Sequence, residues 1–177
     1  MVNSRLILVL AIVVSAALSR LVPHAPNLTP MTAVELFGGA YLADRRLAFF
    51  VPLVALLVSD AILGFYGTGE MLAVYFSSAL VVALGIWVRQ HRSVLRVGSA
   101  AIAGSVVFFV LTNFAVWAFG TIYPKTGAGL LQCYVAALPF FRNTLAGDLL
   151  YTAALFGGFA LLERKLPILR ECPAPAR

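Results

Sequence analysis

Charge is scarce in this sequence. Asp, Glu, Lys and Arg together make up 11% of 177 residues, against roughly a quarter in an ordinary soluble domain. Histidine occurs twice, at His24 and His91, and cysteine twice, at Cys133 and Cys172. No CxxC, Cys/His cluster or disulfide framework can be drawn from so few, and no metal or cofactor site is expected. HExxH, GxSxG and a Gly-rich phosphate loop are absent, and both histidines fall between apolar runs, so no catalytic residue is assigned and no enzyme is expected. The net charge of +6 comes without an aromatic-interleaved basic patch, which argues against nucleic acid. What fills the space is apolar: 62% of residues are hydrophobic and the mean hydropathy is +0.96. A water-soluble fold of this size cannot hide that much apolar surface, so the natural solvent is lipid, and the expectation is an all-α integral membrane protein with one transmembrane domain over residues 1–177.

A bilayer span needs roughly 20 apolar residues. Apolar runs predict six: Leu6–Val22, Met31–Ala43, Leu47–Phe65, Met71–Val88, Val97–Phe119 and Asp148–Leu162. The first continues to Val22, which favours an uncleaved helix over a signal peptide. The second is too short to cross upright and reads as a short central or partly re-entrant helix. Between spans one and two lies a Pro-rich loop, Pro23–Pro30, because proline disfavours helix at and before its own position. Gly64–Gly69 forms a turn. Gly120–Gly147 reads as the longest connection, its apolar middle, Leu130–Phe141, lying on the membrane surface.

Charge tests this partition independently. With a cytoplasmic N-terminus and six crossings, Arg5, Arg45, Arg46, Arg89, Arg92, Arg96, Arg164, Lys165, Arg170 and Arg177 fall inside, and Arg20, Lys125 and Arg142 outside. Ten against three agrees with the positive-inside rule. The expected topology is therefore N-in/C-in, with both termini cytoplasmic. Omitting the weak second span would invert every later loop.

Ionisable groups at membrane depth cost several kcal/mol unless paired or hydrated, which makes them functional pointers. Glu35, beside Gly38-Gly39, can pair with Arg20 or Arg45 or line a cavity. Asp60 sits near the outer end of its span, where interfacial water offers a structural explanation. Asp148 reads as a first-turn acid satisfying helix N–H groups. The outer loops hold His24, Asn27, Thr29, Asn113, Trp117, Tyr123, Gln132, Cys133, Tyr134, Phe140, Arg142 and Asn143. An interfacial aromatic belt accounts for the rings. It does not account for the amides, which gain nothing from lipid, so a small-molecule pocket is the better reading. Its expected binding residues are His24, Asn27, Glu35, Asn113, Trp117, Gln132, Cys133, Tyr134, Arg142 and Asn143. Arg142 either holds an anionic group or snorkels; Cys133 is a buried small hydrophobe or a ligand. Ala11, Ser15 and Ser19 recur four apart on the first helix, a face that permits close helix approach, to a neighbour in the bundle or to another protein.

Four stretches carry a resemblance: Leu21–Pro30 followed by Leu36–Tyr41; Val58-Ser59-Asp60; Thr112–Trp117; and Cys133–Thr144 followed by Gly147-Asp148. Together, over nearly the whole chain, they resemble a bacterial membrane protein family of unknown function with a suggested transport link. More coarsely, the architecture is similar to the substrate-binding S components of energy-coupling factor (ECF) transporters. That resemblance implies a six-helix bundle in the bacterial inner membrane, an outward pocket closed by the loops after helices one, three and five, and a small-residue face on helix one that meets the transmembrane coupling subunit. Ala11, Ser15 and Ser19 stand at that face, with serines where alanines are usual. The expected function is a substrate-binding subunit for uptake of a vitamin-like or other small solute, powered by a separate ATPase module. The alternative is a structural or assembly subunit of a larger membrane complex, without a ligand.

Overall fold

The computed structural model describes residues 4–23 and 27–169. Six α-helices account for most of them: α1 Ser4–Leu18, α2 Met31–Tyr41, α3 Arg45–Leu63, α4 Thr68–Val88, α5 Val94–Phe119 and α6 Gly127–Lys165, with 3-10 turns at Ser19–Leu21 and Pro167–Leu169. Five of the six are long and apolar enough to cross a membrane; α2 is the exception. Side-chain caps mark the starts of α3, α5 and α6. The Asp44 carboxylate accepts from Arg46 N at α3, Ser93 Oγ from Arg96 N at α5, and Thr126 Oγ1 from Gly129 N at α6, each satisfying an N–H that the helix cannot. Gly64, at φ 102°, ends α3 in a conformation that costs glycine little.

Contacts fix the helix directions. Arg20, just past α1, meets Asp60 near the end of α3, so α1 and α3 run the same way. Arg5 meets Glu163, so α6 runs against α1. Pairings of Thr32 with Asp148 and Tyr41 with Phe159 set α2 parallel to α6. The helices therefore alternate, and Arg5, Arg45, Arg89 and Lys165 share one end, the basic end. The core is apolar, yet large apolar side chains also cover the surface, unlike in a soluble protein. Phe50, Ile62, Leu72, Phe76 and Leu150 point outward, while Glu35, Ser59, Asp60, Ser77, Ser78, Ser105, Asp148 and Thr152 are buried. That distribution is consistent with a multi-pass membrane protein, since polar groups at membrane depth turn toward the bundle interior.

At the centre is α2. All eleven of its residues are buried, so neighbouring helices, and not lipid, surround it. It packs closest on α4. A Cβ on Gly39 would strike the Val82 carbonyl, and one on Gly85 the Leu36 carbonyl, so only glycine lets these backbones touch. At the basic end Arg89 donates to the carbonyls of Gly39 and Ala43, a cation closing the negative end of a helix. Arg5 and Arg92 stack on the Tyr41 ring there.

Of the two weakest segments, one fits its expectation and one needs correction. Met31–Ala43 is a short helix at the bundle centre: α2 has eleven residues, about 16 Å at 1.5 Å per residue. The chain still returns to the basic end before α3, because residues 27–30 and α2 complete the passage together. Gly120–Gly147 is not a long loop with a span starting at Asp148. The connection is 120–126, and α6 runs unbroken for 39 residues from Gly127, with Pro139 inside it. The helix is packed along α5: Tyr134 donates to the Val110 carbonyl, and Phe109 packs on Phe141. Asp148 therefore stands in mid-helix and caps nothing.

Candidate functional site

Where α2 begins, the bundle is hollow. A cavity of about 320 Å³ is lined by Arg20, Asn27, Thr29, Met31, Thr32, Glu35, Leu56, Leu63, Val74, Ser78, Phe108, Thr144 and Asp148. Every helix except α1 contributes, and α1 is represented by Arg20 just beyond its end. The loop before α2 forms one wall. Irregular backbone at membrane depth is tolerated where it lines a cavity, and it makes room here for polar groups that a continuous helix would crowd out. Asn27 adopts φ 60°, a left-handed conformation that asparagine tolerates better than most residues. It also lines a second, smaller space of about 130 Å³ between α5 and α6, with Phe108, Thr112, Asn113, Phe140 and Thr144. Asn27, Phe108 and Thr144 are common to both spaces.

Three charged groups face the larger cavity, and they differ in what satisfies them. Arg20 Nη1 donates to Asp60 Oδ1 at 2.5 Å and to Ser59 Oγ at 2.8 Å, and the Tyr75 hydroxyl donates to Asp60 Oδ2 at 3.0 Å. Asp60 is 1% exposed, so this is a buried ion pair, not an interfacial acid. Asp148 accepts from Ser105 Oγ at 2.6 Å, and Thr32 lines the same wall. Glu35, 2% exposed, has the Ser78 hydroxyl beside it. It pairs with neither Arg20, which is held by Asp60, nor Arg45, which is exposed at the basic end. Of the alternatives for Glu35, the structure selects the cavity wall.

The expected binding residues divide. Asn27 and Glu35 line the main cavity, and Asn113 lines the smaller one, its Nδ2 donating to the Phe109 carbonyl of its own helix at 2.8 Å. Trp117, Cys133 and Tyr134 line neither; they belong to the α5–α6 seam. Trp117 Nε1 donates to the Pro124 carbonyl, Cys133 Sγ lies 3.4 Å from the Asn113 carbonyl, and Tyr134 donates to Val110. Gln132 and Arg142 are exposed and Asn143 is half-buried, all three away from the cavity lining. A 39-residue helix carries them along its outer flank, whereas a loop would have folded them inward. His24 lies outside the described residues. Ala11, Ser15 and Ser19 are exposed on α1 and do not pack within the bundle. Sequence reasoning missed Thr32, Ser78, Phe108 and Thr144, and it took Arg20 and Asp148 for other roles. The available signal was Ser77-Ser78 and Ser105 inside otherwise apolar runs.

The fold and cavity place the chain among helical bundles that carry polar groups inside an apolar shell, five of the helices being long enough to cross a bilayer. More particularly, the chain belongs to a family of unknown function (DUF6580), whose profile matches residues 1–169. No curated protein and no solved structure matches it.

Proposed function

We propose that this protein is a membrane-embedded binding subunit that captures a small solute in the central cavity, for uptake driven by an ATPase module made of other chains. The observation that carries the reading is the cavity at the head of α2, into which Glu35 projects at 2% exposure. A buried carboxylate facing a cavity within the bundle is costly in a protein that has no use for the space. The volume sits at the small end of ligand pockets, roughly 300–1,000 Å³. The S-component resemblance supports the same reading. It expects the loop after the first helix to help close the pocket, and Asn27 and Thr29 line it. It expects an exposed small-residue face for the coupling subunit, which assigns Ala11, Ser15 and Ser19 to that contact. The role is binding, not catalysis, in a bacterial inner membrane with both termini cytoplasmic.

Native mass spectrometry of protein released from gentle detergent tests this. A bound small molecule that Glu35→Gln removes is the expected result. A ligand-free spectrum in which the chain instead travels with a stoichiometric membrane protein would replace this reading with that of a structural subunit.

A further inference from the structure

The charges around the cavity are unevenly satisfied, and the imbalance has a sign. Among the described residues Arg20 is the one basic side chain lining it, and Asp60 already neutralises that charge at 2.5 Å. Two carboxylates remain, Glu35 and Asp148, each 2% exposed. Asp148 accepts from Ser105 Oγ at 2.6 Å. Glu35 has the Ser78 hydroxyl on the same cavity wall and no cation within salt-bridge distance among the described residues. A carboxylate offers about four lone-pair positions, and Glu35 is a residue of the cavity lining, so accepting capacity is left for a ligand there. The surrounding wall, from Met31, Leu56, Leu63, Val74 and Phe108, is apolar and lowers the local dielectric. An opposite charge placed there is attracted far more strongly than in water.

Resting on the binding-subunit reading, we propose that the cavity takes a small monocationic organic solute, its ammonium group seated on Glu35 and its apolar body against Leu56, Val74 and Phe108. An ammonium suits the donors better than a metal ion does. Among the described residues no three His, Cys, Asp or Glu side chains come together as ligands, whereas a hard divalent cation wants six or more oxygens. An anion would face two carboxylates, with the nearby guanidinium already engaged. Phe108 places an aromatic ring in the wall, and aromatic rings attract an alkylammonium. Thr29, Thr144 and Asn27 supply hydrogen-bonding positions on the loop side for a polar substituent.

The test uses purified full-length protein in mild detergent and three probes of similar size: n-butylammonium, 1-pentanol and butyrate. Binding is read by equilibrium titration of intrinsic fluorescence and by shift of the unfolding transition. The ammonium probe should bind at least tenfold more tightly than the other two. Glu35→Gln should weaken it roughly ten- to a hundredfold, the size expected for losing a charged hydrogen bond. Glu35→Asp, which keeps the charge, should retain most of the affinity. The probe comparison needs no variant, so it stands even if Glu35→Gln does not fold. Equal or tighter binding of butyrate or 1-pentanol would overturn the cationic solute and leave the binding subunit standing, as would a co-purifying ligand without positive charge. Unchanged ammonium affinity in a folded Glu35→Gln protein would overturn the seat on Glu35. If none of the probes binds and the native spectrum is ligand-free, both readings fall together.

Discussion

Replacing Arg20 with leucine would strand the most deeply buried acid of the bundle. Asp60 is 1% exposed; Arg20 supplies its shortest contact, at 2.5 Å, and Tyr75 the other, at 3.0 Å. Removing one member of a buried pair typically costs about 3–5 kcal/mol, because the survivor keeps its desolvation penalty without its attraction. The Arg20 side chain is itself 20% exposed, and Tyr75 stays bound to Asp60, so the lower figure, about 3 kcal/mol, is expected. The double variant Arg20→Leu/Asp60→Leu removes both charges. It should recover most of that loss, leaving about 1 kcal/mol for the Tyr75 hydroxyl that loses its acceptor. The assay is reversible unfolding in mixed micelles on titration with a denaturing detergent, followed through Trp87 and Trp117. The diagnostic quantity is the coupling energy of the cycle, not either single value. An Arg20→Leu protein within about 1 kcal/mol of the parent would show that water reaches Asp60. A double variant worse than the sum of its singles would refute the buried-pair argument.

Close approach of α2 and α4 makes Gly39→Leu and Gly85→Leu each destabilising by about 1–3 kcal/mol or more, whereas Gly98→Ala and Gly157→Ala, with nothing within 4 Å of the added carbon, should leave the unfolding midpoint unchanged or slightly raised. Reporter fusions after Arg96 should read cytoplasmic and one near Lys125 external; the opposite pattern would overturn the proposed orientation. Ser15→Leu adds bulk on the exposed face of α1, so it should leave bundle stability within about 0.5 kcal/mol and still abolish assembly with the coupling partner. Loss of folding would instead place that face inside a contact within the bundle.

Much of the helical frame was legible because apolar runs bounded by capping residues leave few alternatives. The span expected at Leu47–Phe65 is α3, Arg45–Leu63, shifted by the Asp44 cap; that at Val97–Phe119 is α5, extended to Val94 by Ser93. The start of α6 was not legible. Pro139, Arg142 and Asn143 read as breakers in isolation, and what overrides them is a neighbouring helix, which no local pattern reports. The same error hid the site. With α6 broken at Gly147, Asp148 looked like a helix cap; in a continuous helix it turns inward to Ser105. The amide argument also ran into a local alternative: Asn113 places one Nδ2 bond on the Phe109 carbonyl of its own helix, a partner that needs no ligand. Glu35 was recognisable because no local device satisfies a glutamate in an apolar run. Ser78 and Thr32 went unseen because hydroxyls in membrane helices commonly bond back to their own turn, and sequence does not separate those from hydroxyls that face a cavity.

The two ends of α2 are held so differently that any structural response to a solute belongs to one of them. At the basic end, Arg89 bonds two carbonyls and Arg5 and Arg92 stack on Tyr41, while Gly39 is pressed backbone to backbone against α4. At the cavity end, the capping position is Pro30, which makes no side-chain bond, and the loop leading to it includes Asn27 at φ 60°. Residues 27–30 have no such arginine clamp, although Leu28 packs on Gly147, and Asn27 and Thr29 line the cavity, so this is the end that a bound solute touches. Amide hydrogen exchange in the presence and absence of a saturating ligand should show slowing over residues 27–33 and no change over 36–42. Protection confined to 36–42 would mean that the arginine-capped end moves instead, and the cavity could not then be the place where the solute is sensed.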